Sequence, residues 1–525
     1  MKRERLVRLF HTIRYLKAKQ IYYRLYYLLR NRYRGMRKFS YPLHTEAAGH
    51  PLNLQKSIDA PASFERGQFR FLNRAKRFDD EIDWNFPDYG KLWTYNLNYF
   101  DFLHQPAMGR EEGLGLIEVY IGHMDGVKDG LEPFPISLRG INWIKFLSKH
   151  DIRNQTVDAS LRAQYAILMD NLEYHLLGNH LLENGFSLLF GAYYFRDESL
   201  YAKAKEILTK ELHEQVLDDG AHFELSPMYH QIMLFRVLDC INLVKNNEWK
   251  ARELLGLLSD KASVMLGWLE NITFPDGTTP LLNDSAYGIA PEPSQLTEYG
   301  ASLGIETRNL PLSASGYRVR ETDRYKIIVD VGNIGPDYIP GHAHSDTFSF
   351  VLYAGGKPLI VDTGTSTYET NERRTAERGT AAHNTVMLDG LEQSEVWGGF
   401  RVARRARVYD LTEDEASIKA RHDGYRSRLG AIHERKFVFN ENSIKITDNI
   451  VSGRSHDARF RIHFHPDIEP RIEKNRIVCG DAAVIVTNAD ITLSHYLYAP
   501  EFNTLKKASV LEMSFKKEME IEIVL

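Results

Sequence analysis

Cysteine is almost missing: Cys240 and Cys479 are the only two in 525 residues. That excludes a disulfide framework and a cysteine-based zinc cluster, so any metal site must draw on His, Asp, Glu or Asn. Long apolar runs are missing too. No stretch approaches the roughly 18 uncharged apolar residues of a membrane span. The longest apolar run near the N-terminus, Leu25-Tyr26-Tyr27-Leu28-Leu29, is too short for the core of a signal peptide. The expected location is therefore the cytoplasm. A glycine-rich phosphate loop and a G-x-S-x-G nucleophile elbow are also absent, which removes the commonest nucleotide-binding and serine-hydrolase readings.

Hydrophobic residues make up 43% and charged residues 26% of the chain, the balance of a folded globular protein. Aromatics reach 11%, with 28 Tyr, 26 Phe and 6 Trp, which suits both large cores and clefts that stack on sugar rings. Charge is unevenly placed. Residues 1–38 hold thirteen Lys/Arg against Glu4 alone, a net of +12; the whole chain is −4, leaving −16 on residues 39–525. In the basic segment Leu6, Leu9, Phe10, Ile13 and Leu16, then Ile21, Tyr22, Leu25, Leu28 and Leu29, recur at helical spacing. The segment reads as one or two amphipathic basic helices. They are either packed on the body with a solvated basic face, or in contact with an anionic surface of lipid headgroups or acidic polymer at the inner face of a membrane. Nucleic acid is not an expected partner, because the body is acidic and no nucleic-acid motif follows.

The pattern along the chain divides it three ways. Residues 1–66 form the basic arm and a Pro-containing linker. Residues 67–311 are mostly helical, with apolar positions three and four apart in segments such as Asp158–Leu177 and Tyr229–Asn246. Residues 312–525 switch to short strands such as Tyr325–Val331, Phe348–Tyr353 and Ile444–Thr447, bounded by turn residues. The expected architecture is an α+β multidomain chain: helical hairpins, then an antiparallel β-sandwich.

Four polar clusters carry the chemistry. The densest is Gly341-His342-Ala343-His344-Ser345-Asp346. On a strand, His342, His344 and Asp346 would share a face. With Asp362 and His383 nearby in sequence, two imidazoles and a carboxylate make a plausible zinc set. Asn179 and His180 lie three to five residues from Glu183 and Asn184, so part of this set shares one helix face. In Glu224-Leu225-Ser226-Pro227-Met228-Tyr229-His230 the Ser-Pro pair reads as a capped helix start, placing Tyr229 and His230 in its first turn. Leu92–Phe100 mixes aromatics with amides, including Tyr95, Asn96, Asn98 and Tyr99, as a sugar-lined cleft does.

These segments, with Arg139-Gly140-Ile141-Asn142-Trp143, resemble the heparinase II/III family of polysaccharide lyases over roughly residues 70–480. The resemblance implies an (α/α) toroid followed by a β-sandwich. It implies that Asn179, His180 or Glu183 neutralises the carboxylate of a uronate, Asn179 and His180 being the first candidates, and that Tyr229 and His342 are catalytic. It implies that His344, Asp362 and His383 hold a structural zinc or another divalent ion. Tyr95, Asn96, Asn98, Tyr99, Arg139, Asn142, Trp143, Glu183, Glu224 and His230 would line the substrate path. The implied reaction is β-elimination on a uronate-containing acidic polysaccharide, in the setting of bacterial surface polysaccharide metabolism. Either Tyr229 or His342 could be the base. Two other readings compete. A glycoside hydrolase would need two carboxylates from Glu183, Glu224 and Asp284. A glycan-binding or assembly protein would keep the fold without the chemistry.

Overall fold

The computed structural model describes residues 2–250, 253–474 and 476–525. Two helices open the chain, α1 (Lys2–Ile13) and α2 (Ala18–Met36). The linker then reaches a small meander of strands at Phe64–Glu65, Gln68–Phe71 and Arg74–Arg77. These strands are too short and too basic to show a period in the sequence. The helical body follows: α3 (Lys91–Tyr99), α4 (Arg110–His123), α5 (Pro133–Lys149), α6 (Gln155–Asp170), α7 (Gly178–Phe195), α8 (Glu198–Gln215), α9 (Pro227–Asn246), α10 (Leu255–Ile272) and α11 (Pro293–Ser302). Several successive helices are spatial neighbours. α5 packs on α3, α6 and α7, α7 on α8 and α9, and α9 on α10 and α11. This is the hairpin arrangement that short connections impose. α7 and α9 are buried along most of their length, so neither shows the one-sided pattern of a surface helix.

The strands of the sandwich begin at Tyr317. An eight-stranded antiparallel sheet forms one layer of the sandwich; two four-stranded antiparallel sheets, joined by an isolated bridge between Ile360 and Phe464, form the other. Ser443–Val451 and Glu518–Val524 alternate buried and exposed positions, as half-buried strands do. Tyr325–Asp330 instead is buried at every position. Ile327 and Val329 enter the sandwich core, while Ile328 packs with Ala221, Trp268, Ile272 and Phe274 of the helical body. That second contact locks sandwich to helices along one apolar seam and fixes the loop that follows, residues 331–349, over the helix ends. Two short helices, α12 (Glu372–Arg378) and α13 (Arg426–Leu429), are inserted between strands of the sandwich.

Candidate active site

Three segments meet where the helical body faces the sandwich. Asn179 stands in the first turn of α7. Gly178 before it has φ +59°, and a Cβ there would lie 2.7 Å from Glu224 Oε1, so only glycine fits. Glu224 holds this helix start: its Oε1 accepts from the Asn179 backbone N–H at 3.0 Å and its Oε2 from Asn179 Nδ2 at 2.7 Å. Tyr229 stands in the first turn of α9, which begins as the Ser-Pro pair predicts, with Ser226 Oγ accepting from the Tyr229 backbone N–H. Ser226 Oγ also donates to the Asp284 carbonyl at 2.7 Å, tying α9 to the loop at 283–284. That loop reaches the sandwich, where Asn283 Oδ1 accepts from the His344 N–H and the Asp284 N–H donates to the His342 carbonyl. Leu177, Leu225 and Asn283, each beside one of these residues, have φ of +66°, +58° and +55°. Such backbone is strained for non-glycine residues and gathers at functional sites.

His342 sits at the centre. Its ring lies 3.9 Å from the Tyr229 ring, tilted by 30°. Its Nδ1 is 2.9 Å from Asp284 Oδ2, and its Nε2 is 3.4 Å from Asn179 Nδ2 and 3.7 Å from Glu224 Oε2. An acceptor carboxylate on Nδ1 puts the ring proton there and leaves the lone pair on Nε2, facing Asn179. Asp284 is fully buried and serves both histidines: Oδ1 is 2.9 Å from His344 Nε2. The Arg374 guanidinium grips both its oxygens, with Nη2 donating to Oδ2 at 2.6 Å. Burial alone would raise this carboxyl. Arg374 and the two imidazoles overcome that and hold it well below the usual carboxylate range. Tyr229 behaves oppositely: burial pushes its phenol up, so it stays protonated at neutral pH. Its hydroxyl accepts from Tyr368 at 3.4 Å.

His180 projects beside this centre, with Nδ1 2.9 Å from Glu173 Oε1 and its ring 4.7 Å from Phe134. Burial works against a charged ring, but Glu173 outweighs it and raises His180. Tyr95, whose hydroxyl donates to Glu132, and Tyr99, edge-on to Phe134 at 6.0 Å, continue a row of rings beyond it. Asn96 donates to the Leu92 carbonyl within its own helix. Opposite, Phe400 stands 6.1 Å from His342 and packs on Tyr368.

Other expected substrate contacts lie in the core instead. Asn98 donates to the Trp84 and Thr94 carbonyls, Arg139 to Gln164 and the Asn98 carbonyl, and Asn142 to the Tyr99 carbonyl and Asp101. Trp143 is fully enclosed among aromatic rings. Glu183 is enclosed with Arg236 at 3.3 Å, and His230 lies against Trp268, with Nε2 on the Met265 carbonyl. Most of the hydrogen bonds they make tie helices to one another, though Asn98 Oδ1, Arg139 Nη2, Trp143 Nε1 and Glu183 Oε2 are buried without a hydrogen-bond partner.

The H-x-H pair is not on a strand. Residues 341–349 form an irregular loop, because their backbone groups bond to the 283–284 loop and to Arg378 rather than to a ladder. His342 and His344 meet through Asp284, not through a shared strand face. His344, Asp362 and His383 are fully buried, with His344 and His383 rings 5.3 Å apart and His383 Nδ1 2.7 Å from Asp362 Oδ2. Asp362 is thus engaged with one imidazole and Asp284 with the other. Among the described residues no three His, Cys, Asp or Glu side chains are arranged to hold a metal ion. Three buried atoms here nonetheless lack a hydrogen-bond partner: His344 Nδ1, His383 Nε2 and Asp346 Oδ2. Burial lowers His344 to about 4, so its ring is neutral, the form a metal requires. Two donors of the set, His344 Nδ1 and His383 Nε2, are thus of the type a cation takes, while Asp362, outweighing burial, raises His383 toward its charged form.

Arg374, Tyr368, Phe400 and Glu173 escaped the sequence reading. None belongs to a motif, and Glu372-Arg373-Arg374-Thr375 has the look of a solvated helix.

Residues 146–298 match the model for the heparinase II/III N-terminus, and residues 307–524 the model for the heparinase II/III-like C-terminal region. The chain belongs to the heparinase II/III family. It is 27% identical over 329 residues to a heparin-sulfate lyase of Bacteroides stercoris, a match covering 55% of this chain and 46% of that one. The match thus spans less than half of that relative's length. A solved heparinase III superposes with a TM-score of 0.65 at 14% identity, covering 85% of this chain and 80% of the other. The chondroitin AC lyase of Streptomyces coelicolor A3, in complex with chondroitin sulphate, gives 0.51 at 10% identity, covering 83% and 75%. These likenesses show the fold, a helical body followed by an antiparallel β-sandwich.

Proposed function

We propose that this protein is a lyase that cleaves a uronate-containing acidic polysaccharide by β-elimination. The observation that carries the reading is the convergence of Asn179, Tyr229 and His342, with His342 braced from behind by Asp284 and Arg374. The proton on C5 of a uronate is weakly acidic until its carboxylate is neutralised. Asn179 Nδ2 and the His180 ring supply donors for the enolate-like oxygens as charge develops there. The lone pair of His342 Nε2 takes the C5 proton. The C5–H electrons form the C4–C5 double bond, the C4–O bond breaks, and the Tyr229 hydroxyl gives its proton to the departing oxygen. The Tyr229 phenol, protonated by virtue of burial, suits the acid role; as base it would first have to lose that proton.

Hydrolysis fits less well. Asp284 is held ionised by Arg374, and Glu183 is enclosed with Arg236, so neither is placed to protonate a glycosidic oxygen. Ultraviolet absorbance with a panel of uronate polysaccharides tests the reading. Growing absorbance from the new double bond is expected on at least one polymer. New reducing ends without absorbance would mean hydrolysis.

The proposal extends to a divalent cation, zinc by the nature of its imidazole donors, held by His344, Asp362 and His383. The partnerless His344 Nδ1 and His383 Nε2 support it. Such an ion would tie the sandwich together beneath the loop that presents His342. Metal analysis of the purified protein is expected to find about one ion per chain, and a chelator to lower its melting temperature but not that of His383→Ala. A metal-free protein that melts the same with or without chelator would contradict this. The setting we propose is surface-polysaccharide metabolism at the inner face of the bacterial membrane; the apolar, basic arm supports it.

A further inference from the structure

The arm made by α1 and α2 takes no part in the site, and its two sides differ. One side of α2 is fastened to the helical body. Gln20 Nε2 donates to the Leu176 carbonyl at 3.0 Å, Tyr27 to the Leu172 carbonyl at 2.6 Å, and Arg34 to Asp170 at 2.5 Å. α1 is fastened to the sandwich. Trp397 Nε1 donates to Thr12 Oγ1 at 3.1 Å, and the Arg405 guanidinium lies 3.8 Å from the Tyr15 ring just beyond the helix.

The opposite side of α2 carries Tyr22, Leu25, Leu29, Tyr33 and Met36, three and four residues apart and 56–71% exposed. At 3.6 residues per turn they form one stripe facing away from the body. On α1, Leu6, Phe10 and Ile13 are 65%, 67% and 44% exposed at the same spacing. Among the described residues, more than half of the strongly exposed large apolar side chains lie between residues 6 and 39. Fixed helices that present a continuous apolar stripe to water are unusual in a monomer and mark a surface with a partner. Exposed Arg5, Arg8, Arg14, Arg32 and Arg37 accompany the stripe, within a segment of net charge +12.

We infer that α1 and α2 form a docking face for an anionic lipid bilayer, the apolar stripe entering the headgroup boundary and the arginines meeting the phosphates. Both features are needed to choose this occupant. An acidic polysaccharide would use the charge and leave the apolar stripe in water. A second copy would cover the stripe but bring two strongly positive arms together. An anionic membrane satisfies both, and tyrosine is at home where apolar and wet regions meet. The inference does not depend on the lyase reading.

The test is co-sedimentation of the full chain with vesicles of phosphatidylglycerol and phosphatidylethanolamine, and with phosphatidylcholine alone. Binding to the anionic vesicles is expected to be at least tenfold tighter and to weaken with salt. The double variant Leu25→Gln, Leu29→Gln should lose tenfold or more while melting as the parent does, since both side chains face solvent. Failure to bind anionic vesicles would overturn the inference. So would binding that ignores the glutamines, as a purely ionic contact would. So would a dimer in solution that the same double substitution dissolves.

Discussion

Tyr229→Phe is expected to lower kcat by about 10²–10⁴-fold, the range for loss of a positioned general acid or base, without unfolding the protein. The ring that stacks on His342 at 3.9 Å is kept, and among the described residues the hydrogen bond given up is the 3.4 Å one with Tyr368. Stability should therefore be unchanged within measurement. A substrate analogue separates acid from base. If Tyr229 protonates the departing oxygen, a C4 aryloxide that leaves without a proton should restore turnover to Tyr229→Phe but not to His342→Ala. Rescue of the histidine variant alone would exchange the two roles. Full activity of Tyr229→Phe on the natural polymer would remove the tyrosine from the chemistry.

Arg374→Met is expected to cost about 3–5 kcal/mol of stability, the range for stripping the partner from a buried charge. The reason lies with Asp284, whose carboxylate is enclosed and depends on the bidentate guanidinium to stay ionised. The measurement is the urea midpoint of the variant against the parent. Arg374→Lys should recover little, because one ammonium cannot span both oxygens. Adding Asp284→Asn to Arg374→Met should cost less than the two changes summed, since the amide leaves no unpaired charge. A midpoint unmoved by Arg374→Met would mean that Asp284 is solvated or neutral. Activity of Arg374→Met should also fall, as His342 Nδ1 loses a fixed acceptor.

Much of this was legible in the residues. The Ser226-Pro227 pair marked the start of α9 and put Tyr229 in its first turn, because capping and the proline ring are local effects. The change from a three-to-four period to short alternating segments marked the passage from helices to sandwich. His342, His344, Asp362 and His383 were marked by chemistry rather than by period. What failed was geometry that depends on distant residues. The loop at 341–349 looked like a strand until the 283–284 loop claimed its backbone groups. Asn98, Arg139 and Trp143 looked like a sugar cleft, because an aromatic core and an aromatic cleft have the same composition. Arg374 could not be read at all. Its partner is ninety residues away in sequence, and nothing local distinguishes it from the exposed arginines of a short helix.

On the proposed reading the bond is broken by elimination, without water. The most direct measurement is cleavage of a susceptible uronate polysaccharide in heavy-oxygen water, followed by the mass of the products. Elimination predicts a fragment with an unsaturated uronate at its new non-reducing end and no heavy oxygen incorporated at the cleaved linkage. A saturated end, with one heavy oxygen gained for each bond cut, would contradict the account and assign the site to hydrolysis.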